Sequence, residues 1–115
     1  MTVKLNKKAY EHAKALIREG KFAADQRDDW SEHAPSTQDE NKFLDKNGHS
    51  GYSEWYLGVD DDHPRDQKGH YKFPYGDFSK IHRCAVISGE SRASQNDYQD
   101  IRDALGDLLK RIDNA

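Results

Sequence analysis

Cys84, His82 and Arg83 stand within three positions of one another, the densest set of potentially reactive side chains in the sequence. A cysteine becomes a nucleophile when a cation or base favours its thiolate, which gives Arg83 and His82 roles as activator and base. On a helix, however, positions i and i+2 point to different faces, and a small buried Cys facing the core is the simpler reading. A second set lies in Asp60, Asp61, Asp62, His63, Asp66 and His70. Asp60, Asp62, His63 and His70 are the candidate metal ligands there. Counted from Asp60 as a calcium loop, the pattern has Arg65 where the turn glycine belongs and Tyr71 where the bidentate glutamate belongs. A solvated acidic loop explains these residues more simply. Six histidines occur, none in a helical His-x-x-x-His pair, and no Cys-x-x-Cys exists. The sequence therefore predicts no metal or other cofactor. Gly89-Glu90-Ser91-Arg92-Ala93 has the outline of a nucleophile elbow, but no convincing strand precedes it, and a helix fits better.

Aromatic residues supply the positive signal. Trp30, Trp55, Tyr56, Tyr71, Phe73 and Tyr75, with His82, Arg83 and Arg92, are the candidate ligand- or partner-binding residues. The rings would provide contact area, and the His and Arg side chains polar or anion contacts. Lys80, Arg83, Arg92 and Arg102 beside Tyr71, Phe73 and Tyr75 also sketch a single-strand nucleic-acid surface. Interleaved Asp77, Glu90, Asp97, Asp100 and Asp103 argue against that surface.

These residues need elements to hold them. A first helix runs from an Asn6 cap to Gly20, with Tyr10, Ala13, Leu16 and Ile17 on one face. Phe22 begins a short strand or turn. Ser36 with Asp39, or Thr37 with Glu40, has capping-box spacing before a short helix through Phe43 and Leu44 that Asn47-Gly48 ends. Ser50 caps another short helix carrying Tyr52, Trp55 and Tyr56 on one face. Between Gly58 and Asp77 the sequence reads as a long aromatic-rich loop, with Tyr71, Phe73 and Tyr75 alternating as in a short strand. Asp77 caps a helix with Phe78, Ile81, Ala85, Ser88 and Arg92 on one face. Asn96 or Asp97 caps a last helix, where Tyr98, Ile101, Leu105, Leu108 and Ile112 form a heptad-like seam. The seam is a core face first and a homodimer interface second. The fold expected is mostly α: one domain over residues 1–115, a compact bundle of four or five helices with a long loop and room for a short strand pair.

Composition sets limits on this picture. Nineteen Leu, Ile, Val and Phe in 115 residues make a thin aliphatic core, which two Trp and six Tyr enlarge. A formal net charge of −3, from 18 basic and 21 acidic residues, gives no global attraction to nucleic acid or membrane. The polar, basic start of the chain predicts no secretory signal peptide, no run is apolar enough to span a bilayer, and one cysteine permits no internal disulfide. A cytoplasmic location is expected.

Asp28-Asp29-Trp30-Ser31-Glu32-His33, Trp55-Tyr56-Leu57-Gly58-Val59-Asp60, Tyr71-Lys72-Phe73-Pro74-Tyr75-Gly76-Asp77-Phe78 and the run from Ile81 through Ala93 resemble a family of small bacterial proteins of unknown function. The resemblance spans nearly the whole chain. It implies a bacterial, intracellular, stand-alone domain and no particular activity. The function expected is a small cytosolic, non-enzymatic binding or interaction module with an unidentified protein or small-molecule partner. The alternatives are a small metal-dependent or thiol enzyme and a nucleic-acid accessory protein.

Overall fold

The structure is a computed structural model that describes residues 3–25, 30 and 34–115. The elements follow as β1 (Val3–Leu5), α1 (Lys7–Arg18), β2 (Phe22–Ala23), α2 (Thr37–Ser53), β3 (Tyr56–Asp60), a 3-10 turn (Lys68–His70), β4 (Tyr71–Pro74), β5 (Ile81–His82), α3 (Arg83–Gln95) and α4 (Gln99–Asp113). The helical bundle expected from the sequence is therefore corrected. The architecture is α+β, with a three-stranded antiparallel sheet in the order β1-β3-β4 and a two-stranded parallel ladder joining β2 to β5. None of the described helices is long and apolar enough to cross a membrane.

Where local chemistry decides, sequence and structure agree. Gly20, at φ +76°, ends α1: its N–H donates to Ile17 O, and that of Lys21 to Leu16 O, which is a Schellman motif. Ser36 and Asp39 form the capping box of α2, each side chain accepting the other's backbone N–H. Gly48 takes φ +71° and ψ 175° inside α2, so the helix kinks where Asn47-Gly48 marks a stop. Ala9, Ala13, Leu16 and Ile17 form the buried stripe of α1, and Ile101, Ala104, Leu105, Leu108 and Ile112 that of α4. The seam of α4 is thus closed inside a single chain, against α1, α3 and the sheet.

Two long-range effects overturn the rest. Trp55 and Tyr56 do not continue a helix. Tyr56 opens β3, the central strand, in which Tyr56, Leu57, Gly58 and Asp60 are all buried. A strand covered on both sides shows no alternation, so its pattern is easily taken for a loop. Nor is the segment between Gly58 and Asp77 a loop throughout. It contains most of β3, the 3-10 turn and β4. Gly58 is required there, since a Cβ would stand 2.8 Å from the Phe73 ring and 3.2 Å from Ile101.

Asp77 does not start a helix. Phe78 takes φ +69°, and the Asp77 carboxylate caps a turn by accepting the N–H groups of Ser79 and Lys80. Ile81 and His82 then pair with Phe22 and Ala23, and α3 begins only at Arg83. Asp97 and Asn96 likewise do not cap α4. Asn96 is the C-cap of α3, Asp97 follows at φ +60°, and the N–H of Tyr98 returns to Ala93 O.

Aromatic rings tie α2 and the residues after it to β3 and to the turn that follows β4. Phe43 stacks on Phe78 at 4.4 Å between ring centres, Tyr52 meets Tyr56 at 4.7 Å, and Trp55 lies along Tyr75 at 5.6 Å. These contacts supply the burial that the aliphatics cannot.

Candidate functional site

Two places gather chemistry-bearing side chains. The first is buried where β2 exits and α3 begins. His82, at 3 % exposure, ends β5. Its Nδ1 lies 2.6 Å from Asp25 Oδ2, and its Nε2 lies 2.8 Å from Asp77 Oδ2. Each ring nitrogen thus faces a carboxylate oxygen, a group that accepts when ionised. Asp25 Oδ1 also accepts the backbone N–H of Cys84 at 2.9 Å. The first turn of α3 is thereby capped from 59 residues away, while its own N-cap residue, His82, makes no side-chain cap. Burial pushes the Asp77 carboxyl up, but the hydrogen bonds from His82, Lys80 and Ser79 outweigh it and hold the group well below the usual carboxylate range. Burial works against Asp25 in the same way. The bond from His82 and those from the Cys84 backbone and thiol leave it lowered.

Asp25, His82 and Cys84 each offer a donor atom, and the three atoms lie within 4.8 Å of one another. Among the described residues this is the one group of three or more His, Cys, Asp or Glu side chains that converges so closely. The Trp30 ring lies 5.7 Å from that of His82.

The second place is a cleft of about 440 Å³ between β1, the end of α2 and the 61–71 segment. Lys4, Lys8, Arg65, His49 and His70 line it together with Asn6, Ser50, Ser53 and Tyr71. Asp61 is the one acid among the described lining residues, and it pairs with Lys4 at 2.8 Å. Lys8 donates to Ser50 Oγ at 2.8 Å. Arg65 makes no ion pair among the described residues, and its carbonyl accepts the Tyr71 hydroxyl at 2.6 Å. His70 Nδ1 is 2.8 Å from the carbonyls of both Asp60 and His63, which fixes the proton on that nitrogen. The His49 ring stacks on Tyr71.

The residues singled out in the sequence are divided between the interior and these two places. Trp55, Tyr56, Tyr71, Phe73 and Tyr75 are buried in the core. Their hydroxyls are satisfied inside: Tyr56 donates to Tyr52 and Tyr75 to Glu54 O. Of these, Tyr71 also reaches the cleft. Trp30 and His82 are brought together. Arg83 pairs with Asp113 at 2.7 Å, and Arg92 is exposed on α3. Asp60, Asp62, His63 and His70 do not converge as ligands. Asp60 Oδ1 accepts the Asp62 N–H, and His70 spends Nδ1 on carbonyls. Gly89 to Ala93 lie within α3, with Gly89 against Leu105. Asp28, Asp29 and His33 lie outside the described residues. Asp25, Asp77, Lys4, Lys8, His49 and Arg65 were not among the binding residues expected from sequence. Only their fold neighbours give them meaning, and no local spacing marks them.

Comparison with family models, with curated proteins and with solved structures finds no match for this chain.

Proposed function

We propose that this protein is a non-enzymatic binding module that takes a small phosphate- or carboxylate-bearing molecule in the cleft between β1, α2 and the 61–71 segment. The observation that carries this reading is the charge of the lining: Lys4, Lys8 and Arg65 against Asp61 alone among the described lining residues, with Glu54 3.7 Å from Lys8. The Ser50 hydroxyl adds a neutral hydrogen-bonding group at the same place, whereas the Asn6 amide and the Ser53 hydroxyl donate to backbone carbonyls. Lys and Arg at a concave, partly screened surface favour an anion through charge-assisted bonds, and Arg65 has its guanidinium available for a bidentate contact. The non-enzymatic part is supported at the other cluster. His82 gives both ring nitrogens to carboxylates, and the Cys84 thiol bonds to Asp25.

Titration with inorganic phosphate and with pyrophosphate, followed through backbone amide NMR shifts, tests the reading. Saturable shifts at Lys4, Lys8, Ser50, Arg65 and Tyr71 are expected, weakening with salt and lost in Lys8→Ala and Arg65→Ala. Absence of shifts for both anions at low salt, or shifts unaffected by both substitutions, overturns it.

A further inference from the structure

We propose that Asp25, His82 Nδ1 and Cys84 form a transition-metal site, fitted to zinc, that clips the end of β2 to the start of α3. The donor set is one carboxylate oxygen, one imidazole nitrogen and one sulfur, converging within 4.8 Å. That mixture of N, O and S suits zinc and cobalt, whereas magnesium and calcium take oxygen ligands. Three protein ligands leave a fourth position for water or an incoming group.

A second observation supports the site from the far side of the ring. A metal-binding histidine commonly donates its other N–H to a carboxylate, which fixes its tautomer and orientation. Asp77 stands 2.8 Å from Nε2 of His82, and its own Oδ1 is held by the Ser79 N–H, the Ser79 hydroxyl and the Lys80 N–H. The ring is therefore aimed at Asp25 by a carboxylate that is itself fixed. The ligands also come from places distant in sequence. Asp25 lies 57 residues from His82 and 59 from Cys84, so the site exists only in the folded chain.

The charge balances. Metal binding uses a neutral imidazole nitrogen and a thiolate, so the two positive charges of zinc are offset by the Asp25 carboxylate and the Cys84 sulfur. Binding to the folded chain alone raises its stability by mass action.

Cobalt(II) and zinc additions to the purified full chain test this. The expected results are one ion per chain in native mass spectra, a thiolate-to-cobalt charge-transfer band, and a melting temperature that rises with zinc. Cys84→Ala, a small change at a buried position, should fold, lose the charge-transfer band and lose the zinc-dependent rise. Asp77→Asn should keep the band and weaken affinity about 10- to 100-fold. A wild-type chain with no charge-transfer band, or zinc stabilisation that persists in Cys84→Ala, overturns the proposal. The second outcome would assign the ion to surface histidines.

Discussion

Asp77 and His82, five residues apart, face each other across a turn with Oδ2 and Nε2 separated by 2.8 Å. The turn is held by Oδ1 of the same carboxylate, which accepts from Ser79 and Lys80. One side chain thus builds the turn and orients the imidazole. Asp77→Asn preserves the turn acceptor but places an amide donor against an N–H. A loss of about 2 kcal/mol is expected in urea unfolding of the metal-free protein, as for a hydrogen bond to a charged group. Asp77→Ala should cost more, because the turn then loses its cap as well. Equal effects for the two substitutions would show that the turn cap adds nothing beyond the charge on Asp77.

Tyr75 separates a core role from a binding role. Its ring is fully buried beside Trp55, and its hydroxyl donates to Glu54 O at 2.6 Å while meeting His12 Nδ1 at 2.9 Å. Tyr75→Phe should cost about 1–2 kcal/mol for the unmet carbonyl and imidazole, and Tyr75→Ala about 3–5 kcal/mol for the cavity. Phosphate affinity of folded Tyr75→Phe should equal that of wild type. A Tyr75→Phe chain of unchanged stability and weakened binding would instead return this residue to a binding surface.

Lys4, Lys8 and Arg65 carry the opposite expectation. Lys4 and Lys8 are exposed at the cleft rim, and their ion pairs with Asp61 and Glu54 are surface pairs worth little to stability. Lys8→Ala and Arg65→Ala should leave the melting temperature near that of wild type while abolishing phosphate-induced shifts. Losses of stability comparable to Tyr75→Ala would make these side chains structural.

Tyr10 sets an alkaline limit. Its hydroxyl donates to Asp107 Oδ2 at 2.5 Å, and burial, with the hydrogen bond and the negative charge of Asp107, pushes the phenol from 10.0 up to about 12. The folded chain holds this proton more tightly than the unfolded chain does. Its contribution to stability is therefore full below pH 10 and is lost as pH rises toward 12. Tyr10→Phe removes that contribution, so the stability gap between wild type and variant should narrow over the same interval. A gap independent of pH would mean that the phenol holds its proton no more tightly in the folded chain than in the unfolded one.

What could be read in advance was what short-range chemistry decides. The Ser36–Asp39 box, the Gly20 end of α1 and the α4 seam are each written within one or two helical turns. β3 was illegible because burial on both sides removes its alternation. Tyr52, Trp55 and Tyr56, at helical spacing, imitate a helix face although only Tyr52 belongs to one. The turn at Asp77 imitates a helix start because the same side-chain chemistry caps both. The approach of Asp25 to His82 has no sequence signal. It is created when Phe22–Ala23 pairs in parallel with Ile81–His82, and two-residue strands leave no periodicity to detect.

Asp97 offers a gain rather than a loss. It occupies the left-handed position just after α3, at φ +60°, where the N–H of Tyr98 closes onto Ala93 O at 2.9 Å. A side chain there sets its Cβ against the neighbouring carbonyl, a strain that glycine does not have. Asp97 is exposed and makes no ion pair among the described residues, so little is lost with its carboxylate. Asp97→Gly relieves the strain but also loosens the unfolded chain, which offsets part of the benefit. The net expected is a stabilisation of about 0.5–1 kcal/mol, read as a higher urea midpoint at unchanged slope. Asp97→Ala should not share it, since alanine keeps the Cβ. If glycine and alanine behave alike at this position, the left-handed backbone at Asp97 is not what limits the junction between α3 and α4.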